Sequence, residues 1–133
     1  MKKNLNILIV DDSDMVAMRV WNLLSETAGM AVVGRAASSE EAHKFLKQQR
    51  PDVILLDIHL PGESGIEFLR QVKVNHPAIL VIMLTNFTDS YFRNHCKELG
   101  ADYFFDKSHE FDKVPEVLQE QWRKNNGILK TGI

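Results

Sequence analysis

The sequence predicts an α/β fold in which a doubly wound sheet of five parallel strands carries helices on both faces. Short apolar runs rich in β-branched residues alternate five times with segments whose apolar residues recur at helical spacing. The apolar runs are nearly uninterrupted, as is typical of strands that are buried on both faces of a parallel sheet. Short loops join the segments, and alternating strands and helices of this kind fold with right-handed crossovers.

The first two strand–helix units lie in the N-terminal part of the chain. Residues 6–10 form the first apolar run, which ends at two aspartates. The helix that follows starts near Ser13, because Asp12 or Ser13 can accept hydrogen bonds as its cap. A short strand over residues 31–34 precedes a helix that begins at Ser39 and stops before a proline.

The remaining three units continue the same alternation. In chain order, their strands and helices are predicted over residues 53–56, 64–75, 78–85, 90–99, 103–105 and 112–125. Pro77 and Gly100 end two of these helices, and Pro115 is tolerated only in the first turn of the last one. We therefore predict one domain over residues 1–125, followed by a frayed C-terminal tail over residues 126–133.

The composition is that of one globular domain. A chain of 133 residues can bury a hydrophobic core that needs no disulfide or structural metal to stabilise it. Its single cysteine, Cys96, excludes an internal disulfide and a cysteine-based metal cluster. The formal net charge is −2, whereas a nucleic-acid-binding protein usually carries an excess of basic residues. No stretch approaches the ~18 apolar residues of a membrane span, and no signal-peptide pattern is present. We therefore expect a cytoplasmic protein without direct nucleic-acid or membrane partners.

The most informative single residue is Asp57, which directly follows the apolar run over residues 53–56. Taken alone, it has two interpretations: a solvated turn residue, or a polar group at the edge where α/β sheets bind ligands. The other strand ends decide between them, because parallel strands present their carboxyl ends at one edge. The polar residues at those ends are Asp11, Asp12, Thr85 and Lys107. A solvated turn does not account for this convergence.

The residues at this edge predict a divalent cation. Three carboxylates held close together repel one another, and Lys107 supplies only one positive charge against them. Oxygen ligands favour Mg²⁺ or Mn²⁺ over zinc. The acidic loop after the first strand and the lack of a glycine-rich phosphate loop argue against a nucleotide-binding fold.

Four segments of the chain contain these strand ends and the residues around them. They are Ile9-Val10-Asp11-Asp12-Ser13, Leu55-Leu56-Asp57-Ile58-His59-Leu60-Pro61-Gly62-Glu63-Ser64-Gly65, Leu84-Thr85 and Gly100-Ala101-Asp102-Tyr103-Phe104-Phe105-Asp106-Lys107. Together they resemble the receiver domain of two-component response regulators. The resemblance implies a flavodoxin-like (βα)5 fold with strand order 2-1-3-4-5. It also implies that Asp57 accepts a phosphoryl group from a phosphohistidine on a sensor histidine kinase or phosphotransfer protein. Thr85 and Lys107 then contact the phosphoryl oxygens.

The same resemblance assigns the metal ligands and the switch. Mg²⁺ is held by Asp11, Asp12, Asp57 and the backbone carbonyl of His59. In the family an aromatic residue three positions before the lysine, here Phe104, moves with the threonine after phosphorylation. The signal then passes to a downstream protein through the face of the fourth helix, fifth strand and fifth helix. Such a domain is not an enzyme for a separate substrate; it catalyses only its own phosphoryl transfer and autodephosphorylation.

Several residues beside the site depart from the family pattern. Family members usually have a proline after the lysine, with a cis peptide between them, whereas Ser108 follows Lys107 here. We expect a cis bond despite its cost of about 2.5–4 kcal/mol, because the site must aim the lysine at the phosphate. Asn86 replaces a small residue and is expected to narrow access to the phosphoacceptor. His59 and Phe87 occupy positions that tune dephosphorylation in the family. His59 either orients a water molecule or is an exposed bystander, and Phe87 either shields the acyl phosphate from water or covers apolar surface.

The sequence therefore predicts a phosphorylation-switched receiver, either stand-alone or cut from a longer protein, whose output passes through protein contacts. One alternative is a pseudo-receiver that binds partners without phosphorylation. The five intact residues of the predicted site argue against it, and only Asn86 and Ser108 leave it open. The other is a phosphatase with Asp57 as its nucleophile. Phosphatases of the haloacid-dehalogenase type need a second aspartate two residues after the first, where this chain has His59.

Overall fold

The structure is a computed structural model that describes residues 2–128 of the chain. Its strands are β1 (Leu5–Val10), β2 (Met30–Ala36), β3 (Val53–Leu56), β4 (Leu80–Thr85) and β5 (Tyr103–Asp106). Its helices are α1 (Asp14–Ser25), α2 (Ser39–Gln48), α3 (Gly65–Asn75), α4 (Ser90–Glu98) and α5 (Lys113–Asn125). Every predicted strand and helix is present, in the predicted order.

The strands form one parallel sheet in the order β2-β1-β3-β4-β5, which confirms the predicted fold class and strand order. On β1, Leu8 pairs with Gly34 of β2 on one side and with Ile54 of β3 on the other. On the far side of β3, Leu56 pairs with Met83 of β4. The C-terminal ends of β1, β3 and β4 therefore lie side by side, with β5 flanking β4.

Helices cover both faces of the sheet, and each face has its own core. Successive strand residues point to opposite faces, so Leu8 and Val10 pack in one core whereas Ile7 and Ile9 pack in the other. The first core contains buried residues of α2, α3 and α4, and the second contains buried residues of α1 and α5. Burial on both faces explains why the strand sequences are apolar runs and do not alternate with polar residues.

Two strand boundaries differ from the sequence prediction by more than one residue. β2 extends past its predicted end because its pairing with β1 continues to Ala36, opposite Val10. β4 begins at Leu80, later than predicted, because the Ile79 N–H closes a turn onto the His76 carbonyl at 3.0 Å. An apolar run marks the presence of a strand, but the partner strand and the adjoining turn determine where it starts and stops.

Serine side chains fix the starts of the first two helices. Ser13 Oγ accepts a hydrogen bond from the Val16 N–H at 3.2 Å, so Ser13 rather than Asp12 caps α1. Ser38 Oγ accepts a hydrogen bond from the Glu41 N–H at 3.1 Å and caps α2. Each cap satisfies a backbone donor that the first helical turn leaves unpaired.

The chain after α5 is hydrogen-bonded as far as it is described. Asn126 Oδ1 accepts from the Lys3 N–H at 2.8 Å, and the Ile128 N–H donates to the Arg123 carbonyl at 2.8 Å. The rest of the predicted tail, residues 129–133, lies outside the described residues. Among residues 2–128, no helix combines the length and the hydropathy that would let it cross a membrane.

Candidate functional site

The C-terminal ends of the strands hold the candidate site in place. Asp57 directly follows β3, and its N–H donates to the Val10 carbonyl of β1 at 3.0 Å. Lys107 directly follows β5, and its N–H donates to the Thr85 carbonyl of β4 at 3.0 Å. The parallel ladder thus continues one residue past these strand ends. Hydrogen bonds of the sheet therefore fix the backbone from which both side chains project.

Three carboxylates and one ammonium group meet at this edge. Asp11, Asp12 and Asp57 each offer an oxygen atom, and these atoms lie within 4.8 Å of one another. Lys107 Nζ lies 2.7 Å from Asp11 Oδ2 and 2.8 Å from Asp57 Oδ2. Asp11 and Asp57 are buried, whereas Asp12 is exposed. The structure thus brings four of the predicted site residues together, with one positive charge facing three carboxylates.

Burial and pairing together set the ionisation of this cluster. Burial raises the pKa of the Asp11 carboxyl, because removal from water disfavours the charged form. Hydrogen bonds from Lys107 and from the Ser13 N–H oppose this rise without cancelling it. Burial by itself would lower the pKa of Lys107, but its hydrogen bonds to Asp11 and Asp57 outweigh burial and raise that pKa. The lysine is therefore held in its charged form, and Asp11 retains a repulsion that a cation would relieve.

The carboxylate cluster fits a divalent cation. Asp57 Oδ1 is buried and has no hydrogen-bond partner in the part of the chain that the structure describes. A buried carboxylate oxygen without a partner is costly, so a bound cation or phosphoryl group would stabilise it. All three side chains offer oxygen ligands, which Mg²⁺ and Mn²⁺ prefer. The donor set and its excess negative charge therefore suit a magnesium-type site.

Thr85 is the last residue of β4 and is fully buried. Its Oγ1 accepts a hydrogen bond from the Phe87 N–H at 3.2 Å. A hydroxyl that accepts one bond can still donate its own proton, so this contact leaves the Thr85 proton available to an oxyanion. Phe87 is 41% exposed, and its ring centroid lies 5.8 Å from that of His59, whose side chain is also exposed. His59 and Phe87 thus form one aromatic pair between two loops of the site.

The prediction of a cis peptide bond between Lys107 and Ser108 is wrong. Every peptide bond across residues 2–128 is trans. Without a proline the cis form would cost about 2.5–4 kcal/mol, and in the trans form the Ser108 N–H donates to Asp106 Oδ1 at 2.7 Å. Ser108 Oγ also donates a long hydrogen bond of 3.4 Å to Oδ1 of the exposed Asn86. The lysine therefore reaches its two carboxylates from a trans backbone.

Phe104, the aromatic residue predicted to move with the threonine, is half-buried in β5. The Arg93 guanidinium of α4 lies 4.8 Å from the centroid of its ring. Arg93 Nε also donates to the Thr88 carbonyl at 2.9 Å. The ring thus lies at a junction of β5, α4 and the loop that follows β4.

Two residues outside the predicted site support it. Arg35 of β2 donates from Nε to the Asp11 carbonyl at 3.0 Å and from Nη1 to Asp14 Oδ1 at 2.8 Å. Gly65 begins α3, and a Cβ placed there would lie 1.9 Å from the Asp57 carbonyl oxygen. Gly65 had a signal, namely its place in the segment after Asp57. Arg35 carries no local signal, because its contacts arise only when β2 pairs with β1.

Comparison with known families shows which class of protein carries this site. The response regulator receiver domain model matches residues 7–119. The chain belongs to this family. The resemblance predicted from four sequence segments is therefore confirmed, and the receiver domain is a signalling module.

Several known proteins are similar to this receiver domain. Response regulator GacA from Pseudomonas syringae pv. syringae is 34% identical over 115 residues, covering 86% of this chain and 54% of that protein. Protein CcdB from Bacillus subtilis is 34% identical over 112 residues, covering 84% of this chain and 92% of that protein. The solved response regulator domain of Thermotoga maritima CheB has a TM-score of 0.79 at 29% identity, covering 96% of this chain and 100% of that one. This receiver domain therefore spans about half the length of GacA and most of the length of CcdB.

Proposed function

We propose that this receiver domain, over residues 1–125, is a cytoplasmic switch that accepts a phosphoryl group on Asp57. The donor is a phosphohistidine of a sensor histidine kinase or a phosphotransfer protein. The observation that carries the proposal is the contact of Lys107 Nζ with both Asp57 and Asp11 inside a cluster of three carboxylates. A passive docking surface has no need of a lysine whose side chain is only 10% exposed, beside an aspartate oxygen that has no partner among the described residues.

The transfer step uses Asp57 as the nucleophile. One carboxylate oxygen bonds to phosphorus while the phosphorus–nitrogen bond of the donor breaks, and the electron pair of that bond returns to the imidazole. The hydrogen bond from the Asp57 N–H to the Val10 carbonyl fixes the backbone from which the attacking carboxylate projects, which favours in-line attack. A divalent cation held by Asp11, Asp12, Asp57 and the His59 carbonyl would supply charge neutralisation for the phosphoryl oxygens.

Lys107 and Thr85 then hold the transferred group. Lys107 Nζ already bonds Asp57 Oδ2 at 2.8 Å, so it is close enough to neutralise the oxygens of a phosphoryl group attached to that side chain. Thr85 donates its hydroxyl proton to a phosphoryl oxygen while still accepting from the Phe87 N–H. Any shift of Thr85 toward the phosphoryl group therefore pulls on the loop that contains Phe87.

We further propose that the face formed by α4, β5 and α5 carries the output. The face includes Tyr91, which is 67% exposed, and Phe104, whose ring contacts the Arg93 guanidinium. A change at Thr85 reaches this face through the loop after β4, because Arg93 binds the Thr88 carbonyl in that loop. A downstream protein on this face would sense phosphorylation through packing, since Phe104 has no hydroxyl.

Intact-mass spectrometry tests the proposed function. The protein is incubated with acetyl phosphate and MgCl₂, in parallel with the Asp57→Ala variant and with a reaction that contains excess chelator. We expect one phosphoryl adduct on the wild type and none on the variant or in chelator. Asp52→Ala removes an exposed aspartate just before β3 and serves as the matched control, which should still accept the phosphoryl group.

Two other outcomes would assign a different function. Sustained consumption of the phosphodonor over many turnovers would favour a phosphatase with an aspartate nucleophile. A wild type that forms no adduct with any donor would favour a pseudo-receiver whose site is closed by residues such as Asn86 and Ser108.

A further inference from the structure

Glu63 ties the loop after Asp57 to a neighbouring helix through its backbone. The loop joins β3 to α3 and also contains His59. The Glu63 carbonyl accepts a hydrogen bond from Ser39 Oγ of α2 at 2.7 Å, and Ser39 is only 1% exposed. This hydrogen bond of ordinary length fixes the loop backbone at this point, because breaking it would leave the buried Ser39 hydroxyl unpaired.

The Glu63 carboxylate contacts both neighbouring helices. Its Oε1 lies 3.2 Å from Nε2 of His43 on α2, and its Oε2 accepts from Nε2 of Gln71 on α3 at 3.3 Å. The His43 ring is itself held by an edge contact with the buried Phe68 ring, at a centroid distance of 4.9 Å. Glu63 therefore joins the loop to α2 and α3 through its carbonyl and through both oxygens of its side chain.

We propose that Glu63 is a positioning residue for the metal site. We also propose that the contact between Glu63 and His43 makes the restraint of the loop by Glu63 dependent on pH. The inference rests on the proposed function, in which the His59 carbonyl is a metal ligand. The start of the loop is bound to the start of α3 by the hydrogen bond from the Gly65 N–H to the Ile58 carbonyl at 2.8 Å. Glu63 restrains the stretch between them and so limits how far the His59 carbonyl can move.

The charges around His43 determine the direction of the pH dependence. Histidine ordinarily changes charge between about pH 5 and 8, and a protonated imidazole forms a charge-assisted hydrogen bond with a carboxylate, stronger than the neutral one. The other ionisable side chains that line the grooves beside His43 are Glu40, Lys44, Lys47, Arg50 and His76. Most of them are basic, whereas Glu63 is the acidic side chain that contacts the His43 ring. Because the hydrogen bond to Glu63 is stronger when the imidazole is protonated, Glu63 restrains the loop more firmly at low pH than at high pH.

Magnesium titration of the unphosphorylated protein tests this inference. The dissociation constant for MgCl₂ is measured by calorimetry at about pH 6 and about pH 8, on either side of an ordinary histidine titration. The variants are Glu63→Gln and His43→Gln, with Glu40→Gln as a matched control because Glu40 lines the same groove and is exposed. Each constant is compared with that of the wild type at the same pH, which cancels the protonation of the shared metal-binding carboxylates.

We expect Glu63→Gln and His43→Gln to weaken magnesium binding about three- to five-fold at the lower pH and less than about two-fold at the higher pH. This is the range that a partly exposed ion pair can supply. Glu40→Gln should match the wild type at both pH values. Circular dichroism checks that each variant is folded, which we expect because the His43 and Glu63 side chains are 37% and 31% exposed.

Three results would overturn the inference. A wild type that binds Mg²⁺ while both variants bind it equally well would show that Glu63 does not position the loop. An equal weakening of magnesium binding at both pH values would show that His43 does not make the restraint by Glu63 dependent on pH. In either case Asp57 would still accept its phosphoryl group, so the proposed function would stand. A wild type that neither binds Mg²⁺ nor accepts a phosphoryl group would overturn both.

Discussion

The Asp11 carboxyl is buried beside Asp57, and burial raises its pKa although Lys107 Nζ lies 2.7 Å away. An acid whose pKa is higher in the folded state than in the unfolded state binds its proton more tightly when folded. Its ionisation therefore reduces the free energy of unfolding. This loss of free energy of unfolding is absent in acid. It grows as the pH rises from the pKa of Asp11 in the unfolded state to its pKa in the folded state, and it is complete above the folded-state pKa.

We therefore predict that Asp11→Asn stabilises the protein in the absence of divalent ions. The amide keeps an acceptor for Lys107 and removes one of the repelling charges. The gain at neutral pH should be about 1 kcal/mol, or about 4 °C in a thermal unfolding midpoint, and should vanish in acid. In excess Mg²⁺ the wild type should instead be more stable than Asp11→Asn, because only the wild type keeps all three carboxylates as ligands.

Asp12→Asn is the matched control for this prediction, since Asp12 belongs to the same cluster but is exposed. Its effect in metal-free buffer should be smaller. A melting temperature for Asp11→Asn below that of the wild type in chelator would show that the contact with Lys107 outweighs the burial of the charge.

At the scale of residues, the sequence could predict which side chains meet at the site, because a strand end fixes the position of each one. It could not predict the trans peptide before Ser108, which depends on the Asp106 side chain accepting a particular N–H. Nor could it predict the partners of Glu63, since Ser39 and Gln71 reach it only after two helices have packed on the sheet.

At the scale of elements, hydrophobic periodicity was sufficient to predict each strand and helix. Their ends required tertiary information. The end of β2 depends on pairing that reaches Ala36, and the start of β4 depends on the turn that Ile79 closes. The packing of α3 against the tip of β3 was also outside the reach of periodicity, because it depends on Gly65 having no Cβ at a point where a Cβ would collide with the Asp57 carbonyl oxygen.

This packing predicts the effect of Gly65→Ala. The added Cβ would lie 1.9 Å from the Asp57 carbonyl oxygen, so α3 or the tip of β3 must move. We expect a loss of about 3 kcal/mol in the free energy of unfolding, measured in urea, at the upper end of the usual cost of overpacking. Phosphorylation of Asp57 by a small phosphodonor should slow at least about ten-fold, because the carboxylate moves with its backbone.

Gly62→Ala provides the control in the same loop. Gly62 has a φ of +75°, and a Cβ there would meet nothing within 4 Å. Its replacement should cost about 1 kcal/mol through left-handed backbone strain alone, with little change in the phosphorylation rate. A Gly65→Ala protein that is phosphorylated as fast as Gly62→Ala would contradict the proposed contact.

At the scale of the whole molecule, the alternation of strands and helices was enough to predict a single sheet with a core on each face. Cys96 lies fully buried in the core that α2, α3 and α4 share. Burial raises the pKa of its thiol to about 11, so the reactive thiolate is scarce at neutral pH as well as inaccessible. Because the chain has one cysteine, this thiol can report on the opening of the domain.

We predict that a disulfide reagent such as Ellman's modifies Cys96 at least about a thousand-fold more slowly in the native protein than in urea. The factor follows from the folded-to-unfolded ratio of an ordinary small domain. The rate should rise with urea in parallel with loss of circular dichroism, and Cys96→Ser gives the background. Rapid modification without denaturant would show that α4 opens by itself, and Cys96 would then report only on that helix.

The hydrogen bond from the Asp57 N–H to Val10 anchors the proposed phosphoacceptor in the sheet, whereas the residues around its opening belong to loops. Mutation can therefore act on the two parts separately. Changes in the sheet would abolish the capacity to accept a phosphoryl group. Changes at loop positions such as Asn86, Phe87 and Ser108 would instead alter how long each signal lasts. Substitutions in these loops, natural or engineered, could thus adjust the lifetime of the proposed phosphorylated state without changing the residue that accepts the phosphoryl group.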